Sequence, residues 1–158
     1  MRLGAFSSFA IWVVLAAAFL LFFNSKLHPN TVEKLGTGQV VSLVRDISGH
    51  YRAEAIINGI KVDVLVDTGA TGVSISRELA DRLDIESHVA ARTHTANGEV
   101  VSYMTRLDSV RLGGIEANDV AALITPSLEG EALLGMSFLS RMDVRLYKGT
   151  MTIRSVTD

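Results

Sequence analysis

One acidic side chain stands out because of the residues on either side of it. Asp67 follows an apolar, β-branched run at residues 62–66 and precedes the glycine- and threonine-containing segment 68–72. A second strand-like run, Val73–Ser76, comes next. Residue types of this kind favour two strands joined by a tight turn. A carboxylate between two buried strands is costly unless it is hydrogen-bonded or reactive, so Asp67 is a candidate for chemistry.

The segment Asp67-Thr68-Gly69-Ala70 resembles the active-site signature of the pepsin-like aspartic peptidases, and Ala70 resembles the retroviral, retropepsin branch. The resemblance implies that Asp67 is the catalytic aspartate. It also implies that Gly69 lets the loop pass close to the reacting centre, and that Thr68 braces the loop against its twin in a second subunit. The tripeptide alone fits a structural turn, in which Asp67 caps backbone amides, about equally well.

A second segment strengthens the resemblance. Residues Ala132-Leu133-Leu134-Gly135 lie about 65 positions after Asp67. In the family, an apolar strand that ends in glycine threads the loop carrying the aspartate, and a short helix follows. Met136–Met142 predicts that helix. Its apolar side chains are expected to face inward: Met136, Leu139 and Phe138. The alternative is an ordinary buried strand that ends in glycine.

The elements that must position Asp67 are also visible in the sequence. Tyr51–Ile57 alternates in polarity and is joined through Asn58-Gly59 to Ile60–Val66, a pattern typical of a β-hairpin. This hairpin leads directly into Asp67. Arg77–Leu83 predicts a short helix with Ser76 as its N-cap.

A further hairpin is predicted at Thr93–Met104, with Ala96-Asn97-Gly98-Glu99 at its tip. The resemblance implies that this hairpin is the flap that closes over bound peptide, with Ala96, Asn97 and Gly98 near the substrate. Turn chemistry fits an ordinary exposed hairpin equally well. The chain departs from the family in three respects: the tip is not glycine-rich, Tyr103 lies well down the second arm, and Thr71 stands where viral enzymes carry an acid.

The rest of the chain after residue 50 is strand-rich, and the predicted fold class is all-β. The resemblance makes it a retropepsin-like acid protease barrel with one or two short helices. The further predicted strands are Leu107–Leu112, Val120–Thr125, Val144–Tyr147 and Met151–Ile153, with a polar loop at Ser127–Glu131 and a Lys148-Gly149 turn.

The first part of the chain has a different character. Gly4–Phe23 is uncharged and apolar, and roughly 20 such residues are enough for one transmembrane helix. A cleavable signal peptide is the alternative, but no small-x-small site follows the run, so an uncleaved anchor is favoured. The predicted organisation is an anchor at 1–23, a stalk at 24–49 (with Gln39–Arg45 able to pair at a sheet edge) and a protease domain at 50–158. An N-in orientation would place that domain on the periplasmic or extracytoplasmic side. This organisation resembles that of small bacterial retropepsin-like proteases, which often carry one N-terminal transmembrane segment.

Composition excludes several other functions. The net charge is −2 and basic residues are not clustered, which argues against nucleic-acid binding. The four histidines lack metal-ligand spacing, so neither a metal nor another cofactor is expected. Gly135-Met136-Ser137-Phe138-Leu139 lacks the second glycine of a nucleophile elbow. Because the chain contains no cysteine, the presence or absence of disulfides gives no indication of an oxidising or a reducing compartment.

A single Asp-Thr-Gly provides only half of an aspartic peptidase site, because this hydrolysis uses two carboxylates. The sequence therefore predicts a homodimeric endopeptidase in which each subunit supplies Asp67, acting on protein or peptide substrates. The segment Val144–Asp158 is the expected dimer interface. Two other functions stay open: a non-catalytic, membrane-anchored peptide-binding module of the same fold, and a small all-β membrane-linked interaction protein of another fold.

Overall fold

The computed structural model describes residues 11–20, 39–95 and 98–156, without the side chains of residues 94 and 95. Residues 11–20 form helix α1, whose large apolar side chains are exposed. Within the described ranges, no helix has the length and apolar character needed to cross a membrane. The predicted anchor, Gly4–Phe23, lies half outside these ranges, and so does the stalk up to residue 38.

The part of the chain from residue 39 onward is built mainly of strands. Its described elements are β1 (Val40–Val44), β2 (Tyr51–Ile57), β3 (Ile60–Val66), β4 (Val73–Ile75), α2 (Arg77–Arg82), β5 (Ala90–Thr95), β6 (Gly98–Leu112), β7 (Ile115–Ile124), β8 (Ala132–Leu134), α3 (Met136–Leu139), β9 (Met142–Tyr147) and β10 (Thr150–Ser155). The all-β prediction with two short helices is confirmed for this part.

The larger sheet closes on itself. Its strand order is β2-β3-β8-β4-β7-β6-β5, and β2 also pairs with β6. Six strands therefore form a closed barrel, and β5 extends from it as the outer arm of a hairpin. Closure leaves the barrel strands without free edges. The interior is filled by alternate side chains of these strands, which are buried and almost wholly apolar.

The predicted hairpin before Asp67 is present with the predicted bounds. Tyr51 pairs with Val66, and the register runs to Ile57 opposite Ile60. Asn58 and Gly59 have φ values of 45° and 86°, the left-handed backbone that a tight two-residue hairpin turn requires. This turn fixes the register and thereby the position at which β3 ends.

A smaller sheet with the order β1-β10-β9 lies beside the barrel. β1 pairs with β10 from Val40 opposite Arg154 to Val44 opposite Thr150. The side chains of Val41 and Leu43 are fully buried. The described sheet structure therefore includes a strand that lies before the predicted domain boundary at residue 50. The predicted edge pairing of Gln39–Arg45 is confirmed for Val40–Val44.

Four element predictions need correction. The predicted strand Val120–Thr125 is the second half of a longer strand, β7, which begins at Ile115. The predicted separate strand Leu107–Leu112 is the second half of one long strand, β6, because no glycine or proline interrupts Met104–Arg106. Helix α3 ends at Leu139 rather than Met142, which instead opens β9 opposite Ser155. A one-turn helix turns only one side to the core, so Phe138 and Leu139 are buried while Met136 is 38% exposed.

Candidate active site

Asp67 is the first residue beyond β3, and strand β8 determines where it lies. β8 runs between β3 and β4, parallel to the first and antiparallel to the second. The loop of residues 67–72 must therefore pass around the end of β8. The amide of Asp67 donates to the carbonyl of Leu134 at 3.0 Å. The arrangement expected for Ala132–Gly135, a strand threading the loop, is present.

The carboxylate of Asp67 is half-buried and held from within its own loop. The amide of Gly69 donates to Asp67 Oδ1 at 2.8 Å, and the amide of Ala70 donates to the Asp67 carbonyl at 3.4 Å. Thr68 is exposed on the loop. A carboxylate oriented by a backbone amide and still reachable by solvent can accept a proton from a water molecule.

Gly135 permits the close contact between β8 and the loop. A Cβ at this position would lie 2.3 Å from the carbonyl oxygen of Gly72 and 2.7 Å from that of Ala70. Both distances are far below van der Waals contact with rigid backbone atoms. Just beyond it, the amide of Met136 donates to the Ala70 carbonyl at 2.9 Å. Residue 135 must therefore be glycine for the loop to keep this path.

Ser137 holds the end of the loop in place, a role that the sequence did not reveal. Its Oγ accepts a hydrogen bond from the amide of Val73 at 2.9 Å and donates one to the carbonyl of Ala121 at 2.7 Å. It therefore joins the end of the loop to β7. The only sequence signal was a serine in a Gly-x-Ser segment, which lacks the second glycine of a nucleophile elbow and gave no role for this residue. Its hydroxyl is instead committed to two backbone groups.

A cleft of about 320 Å³ opens beside Asp67. Thr68 also borders it, together with Arg45 and His50 from the segment before β2 and Leu146 from β9. The segment is held in place by Asp46, whose Oδ1 accepts the amides of Ser48 at 2.9 Å and His50 at 2.8 Å. The full lining is Arg45, Gly49, His50, Tyr51, Leu65, Val66, Asp67, Thr68, Leu146 and Met151.

The predicted flap corresponds to the hairpin of β5 and the first part of β6. Its register runs from Ala90 opposite Tyr103 to Thr95 opposite Gly98. Gly98 has a φ of 114°, which glycine adopts readily. Ala96 and Asn97, the other two predicted substrate contacts, lie outside the described residues.

Titratable side chains elsewhere in the described ranges include no candidate metal site. No group of three or more His, Asp or Glu side chains is placed there to hold a metal ion. Glu131 has a structural role: its Oε2 accepts the amide of Asp63 at 2.8 Å, and its other oxygen pairs with Arg82. The hydrogen bond from Asp63, together with that from Arg82, holds the pKa of Glu131 below its usual value.

Comparison with known proteins agrees with the closed barrel and the threaded aspartate loop, which define the acid-protease fold. Residues 53–141, more than half of the chain, match the family described as "gag-polyprotein putative aspartyl protease". The chain therefore belongs to this retropepsin-like family.

Solved structures have a similar fold. A crystal structure of a retropepsin-like aspartic protease from Rickettsia conorii is 28% identical and covers 74% of this chain and 91% of its own, with a TM-score of 0.66. The EIAV protease complexed with the inhibitor HBY-793 is 19% identical over 60% of this chain and 88% of its own, with a TM-score of 0.50, a likeness of fold alone.

Two uncharacterised curated proteins also match. One, RP867 of Rickettsia prowazekii, is 32% identical over 74% of this chain and 51% of its own length. The other, from the cobV 5′ region of a Sinorhizobium species, is 28% identical over 67% of this chain and 47% of its own. The chain spans about half the length of these curated relatives.

Proposed function

We propose that the protein is an aspartic endopeptidase that hydrolyses peptide bonds as a homodimer, with Asp67 of each subunit at the shared site. The observation that carries the proposal is the loop around β8, which presents one half-buried carboxylate oriented by the Gly69 amide at 2.8 Å. Membership of the retropepsin-like family supports the same chemistry.

In the proposed mechanism, the two Asp67 carboxylates share one proton, because neighbouring like charges cannot both ionise readily. The ionised one removes a proton from a water molecule, which attacks the peptide carbonyl. The protonated one donates a hydrogen bond to the carbonyl oxygen and stabilises the developing negative charge. Thr68, exposed beside each Asp67, would brace the two loops against each other.

The second subunit must approach the surface that borders Asp67, because one subunit alone supplies one carboxylate. Leu146 lines the cleft beside Asp67 and is 54% exposed, and the next residue, Tyr147, is 70% exposed. Strand β9, which carries both, pairs with β10 alone among the described strands. An exposed apolar pair next to half of a two-carboxylate site is best explained as part of the dimer interface.

This interface can be tested by placing one charged side chain in it. We expect Leu146→Lys to shift the protein from dimer to monomer and to lower cleavage by about tenfold or more, because a buried unpaired ammonium opposes association. Sedimentation velocity over a concentration series measures the dimer fraction. Val89→Lys, a matched change at a residue that is 62% exposed and outside this surface, should leave the dimer intact. A dimer of unchanged affinity in Leu146→Lys would exclude this surface.

Residues 1–23 are also proposed to anchor the protein in the cell membrane, with the protease domain on the periplasmic or extracytoplasmic side. The support is the uncharged, apolar composition of Gly4–Phe23 and the exposed apolar side chains of α1. Anchoring would favour dimerisation by confining subunits to a surface. Alkaline extraction of membranes should leave the full chain in the pellet, and release by alkali would argue against the anchor. Protease added outside spheroplasts should digest the domain if it lies on the periplasmic side.

The decisive experiment for the activity compares the full chain, kept in mild detergent, with its Asp67→Asn variant. Asparagine keeps the oxygen that accepts the Gly69 amide but cannot serve as general base. We expect the wild type alone to cleave oxidised insulin B chain at pH 4–6, and its rate to fall as the pH rises toward neutrality and the shared proton is lost. Inhibition by pepstatin would support a pepsin-like cleft. Peptide binding by an intact wild-type dimer without cleavage would favour the non-catalytic binding module.

A further inference from the structure

The hairpin of β5 and β6 leaves the barrel at Tyr103. The pairing of β6 with β7 extends no further toward the hairpin tip than Tyr103. From Tyr103 to Gly98, β6 pairs with β5. Among the side chains described on the two arms, Ser102 is the one that is fully buried, with 0% exposure. A polar residue therefore occupies the position where an apolar side chain would more commonly anchor a hairpin.

The buried hydroxyl of Ser102 bonds to another buried hydroxyl. Its Oγ lies 2.9 Å from Oγ1 of Thr125, which is 6% exposed. Thr125 in turn donates its amide to the carbonyl of Ile75 at 2.9 Å. Ile75 is the last residue of β4, the strand that continues from the Asp67 loop. The hydroxyl pair therefore links the base of the hairpin to the strand that leaves the candidate catalytic loop.

The residue after Ser102 makes a second contact with the segment that follows β4. The guanidinium carbon of Arg77 lies 5.6 Å from the centre of the Tyr103 ring, within the range of a cation–π interaction. Arg77 is the first residue of α2, which follows β4 directly. Two consecutive hairpin residues, 102 and 103, are thus attached to the chain segment that follows Asp67.

We infer that Ser102 and Thr125 form a positioning pair, whose hydrogen bond fixes the angle of the hairpin relative to the Asp67 loop and thereby the affinity for peptide. A hydrogen bond is directional, whereas apolar packing at the same point would tolerate several orientations. Neither residue is assigned contact with the reacting atoms. The inference rests on the proposed peptidase function and on the flap role that the family resemblance implies for this hairpin.

The kinetic test uses Thr125→Val, which keeps the shape of the side chain, and Ser102→Ala. In the full chain, with oxidised insulin B chain as substrate, each should raise KM by about three- to tenfold and change kcat by less than about twofold. The pH profile should not move. The double variant should resemble either single one, because both remove the same bond. Thr125→Ser, which retains the hydroxyl, should have the KM of the wild type.

A second readout does not depend on activity. Removing either hydroxyl should accelerate hydrogen exchange of the amides of Gly98–Tyr103 by about three- to tenfold, because the arm opens more often. If the wild type cleaves no peptide, the proposed function fails, while the exchange rates still decide whether the pair holds the hairpin. Unchanged exchange at these amides in both variants would overturn the inference.

A matched control removes one hydrogen bond from the part of β6 that lies in the barrel, away from the hairpin. Asn58 Oδ1 accepts the amide of Ser109 at 3.0 Å, and glycine readily adopts the φ of 45° at residue 58. Asn58→Gly should lower Tm without changing KM or exchange at Gly98–Tyr103. If Thr125→Val behaved in the same way, the hydroxyl pair would be a stabilising contact only, and its positioning role would be excluded.

Discussion

The loop that carries Asp67 and the hairpin of β5 and β6 are held by different kinds of contact. The loop is held largely by backbone groups, since Asp67 donates to the Leu134 carbonyl and Met136 to the Ala70 carbonyl, and the Ser137 side chain adds a bond at its end. The base of the hairpin also has backbone pairing, with Tyr103 opposite Ile124, but its buried contact beyond that pairing is made by the side chains of Ser102 and Thr125. Backbone contacts tolerate most side-chain substitutions, but a position at which two backbone segments are in direct contact, such as Gly135, must be glycine. We therefore expect the loop to fail abruptly and the hairpin to respond gradually.

The largest effect is expected from Gly135→Ala. The added methyl group would meet the Gly72 carbonyl oxygen at 2.3 Å, so either β8 or the loop must move. We expect a loss of about 3 kcal/mol or more in the free energy of unfolding, and loss of cleavage. Thermal unfolding and the insulin B chain assay measure both.

The control for this change lies in the same loop. A Cβ on Gly72 would have its nearest neighbour, Ser137 Oγ, at 3.7 Å, an ordinary contact. Gly72→Ala should therefore stay within about 1 kcal/mol of the wild type. A Gly135→Ala protein with the wild-type Tm would contradict the close contact between strand and loop.

Ser137→Ala should have the next largest effect. The change leaves the amide of Val73 and the carbonyl of Ala121 without the hydroxyl that joins them. We expect a loss of about 1–3 kcal/mol on urea unfolding. Ser140→Ala, the same change at an exposed serine in the next turn, should be nearly neutral, and equal losses in the two variants would remove the bridging role of Ser137.

A smaller and more specific effect is expected at the hairpin. Arg77→Gln removes the cation above the Tyr103 ring and should raise KM by about two- to threefold, in keeping with a contact worth at most about 1 kcal/mol. Tyr103→Phe keeps the ring and should leave KM unchanged. A rise in KM with Tyr103→Phe, but not with Arg77→Gln, would show that the phenol oxygen matters rather than the ring.

The smallest effect is expected from Glu131→Gln, and it should depend on pH. The folded-state pKa of Glu131 is lowered by the hydrogen bond from the Asp63 amide and by Arg82. The ionised carboxylate therefore stabilises the fold above its unfolded pKa, and this contribution is lost as the pH falls through the folded value. We expect a deficit of at most about 1 kcal/mol at pH 7 that disappears well below pH 4.5. A deficit that is constant with pH would exclude the charge as its cause.

The sequence was informative where geometry depends on local backbone preference. Asn58-Gly59 predicted the hairpin that ends at Asp67, and Ala132–Gly135 predicted the strand inside the loop. Both are confirmed, because turn residues and short apolar runs act through the backbone. The N-cap at Ser76, whose Oγ accepts the amide of Leu79 at 3.1 Å, is confirmed for the same reason.

The sequence was uninformative where a side chain acts on a distant segment. Ser137 bridges to Val73 over 64 positions, and Ser102 reaches Thr125 over 23. A lone serine carries no local signal of its partner, so neither contact could be predicted. The unbroken length of β6 and the shortness of α3 were missed because strand and helix ends depend on neighbouring strands rather than on propensity.

The central claim, that two subunits share one site with an Asp67 from each, can be tested by mixing. Wild-type protein is allowed to exchange subunits with increasing amounts of Asp67→Asn, and cleavage is measured per wild-type chain. If mixed dimers are inactive, random pairing predicts about half the activity at equal amounts and about one-tenth at a tenfold excess of the variant. Activity that does not change at any ratio would contradict the shared site.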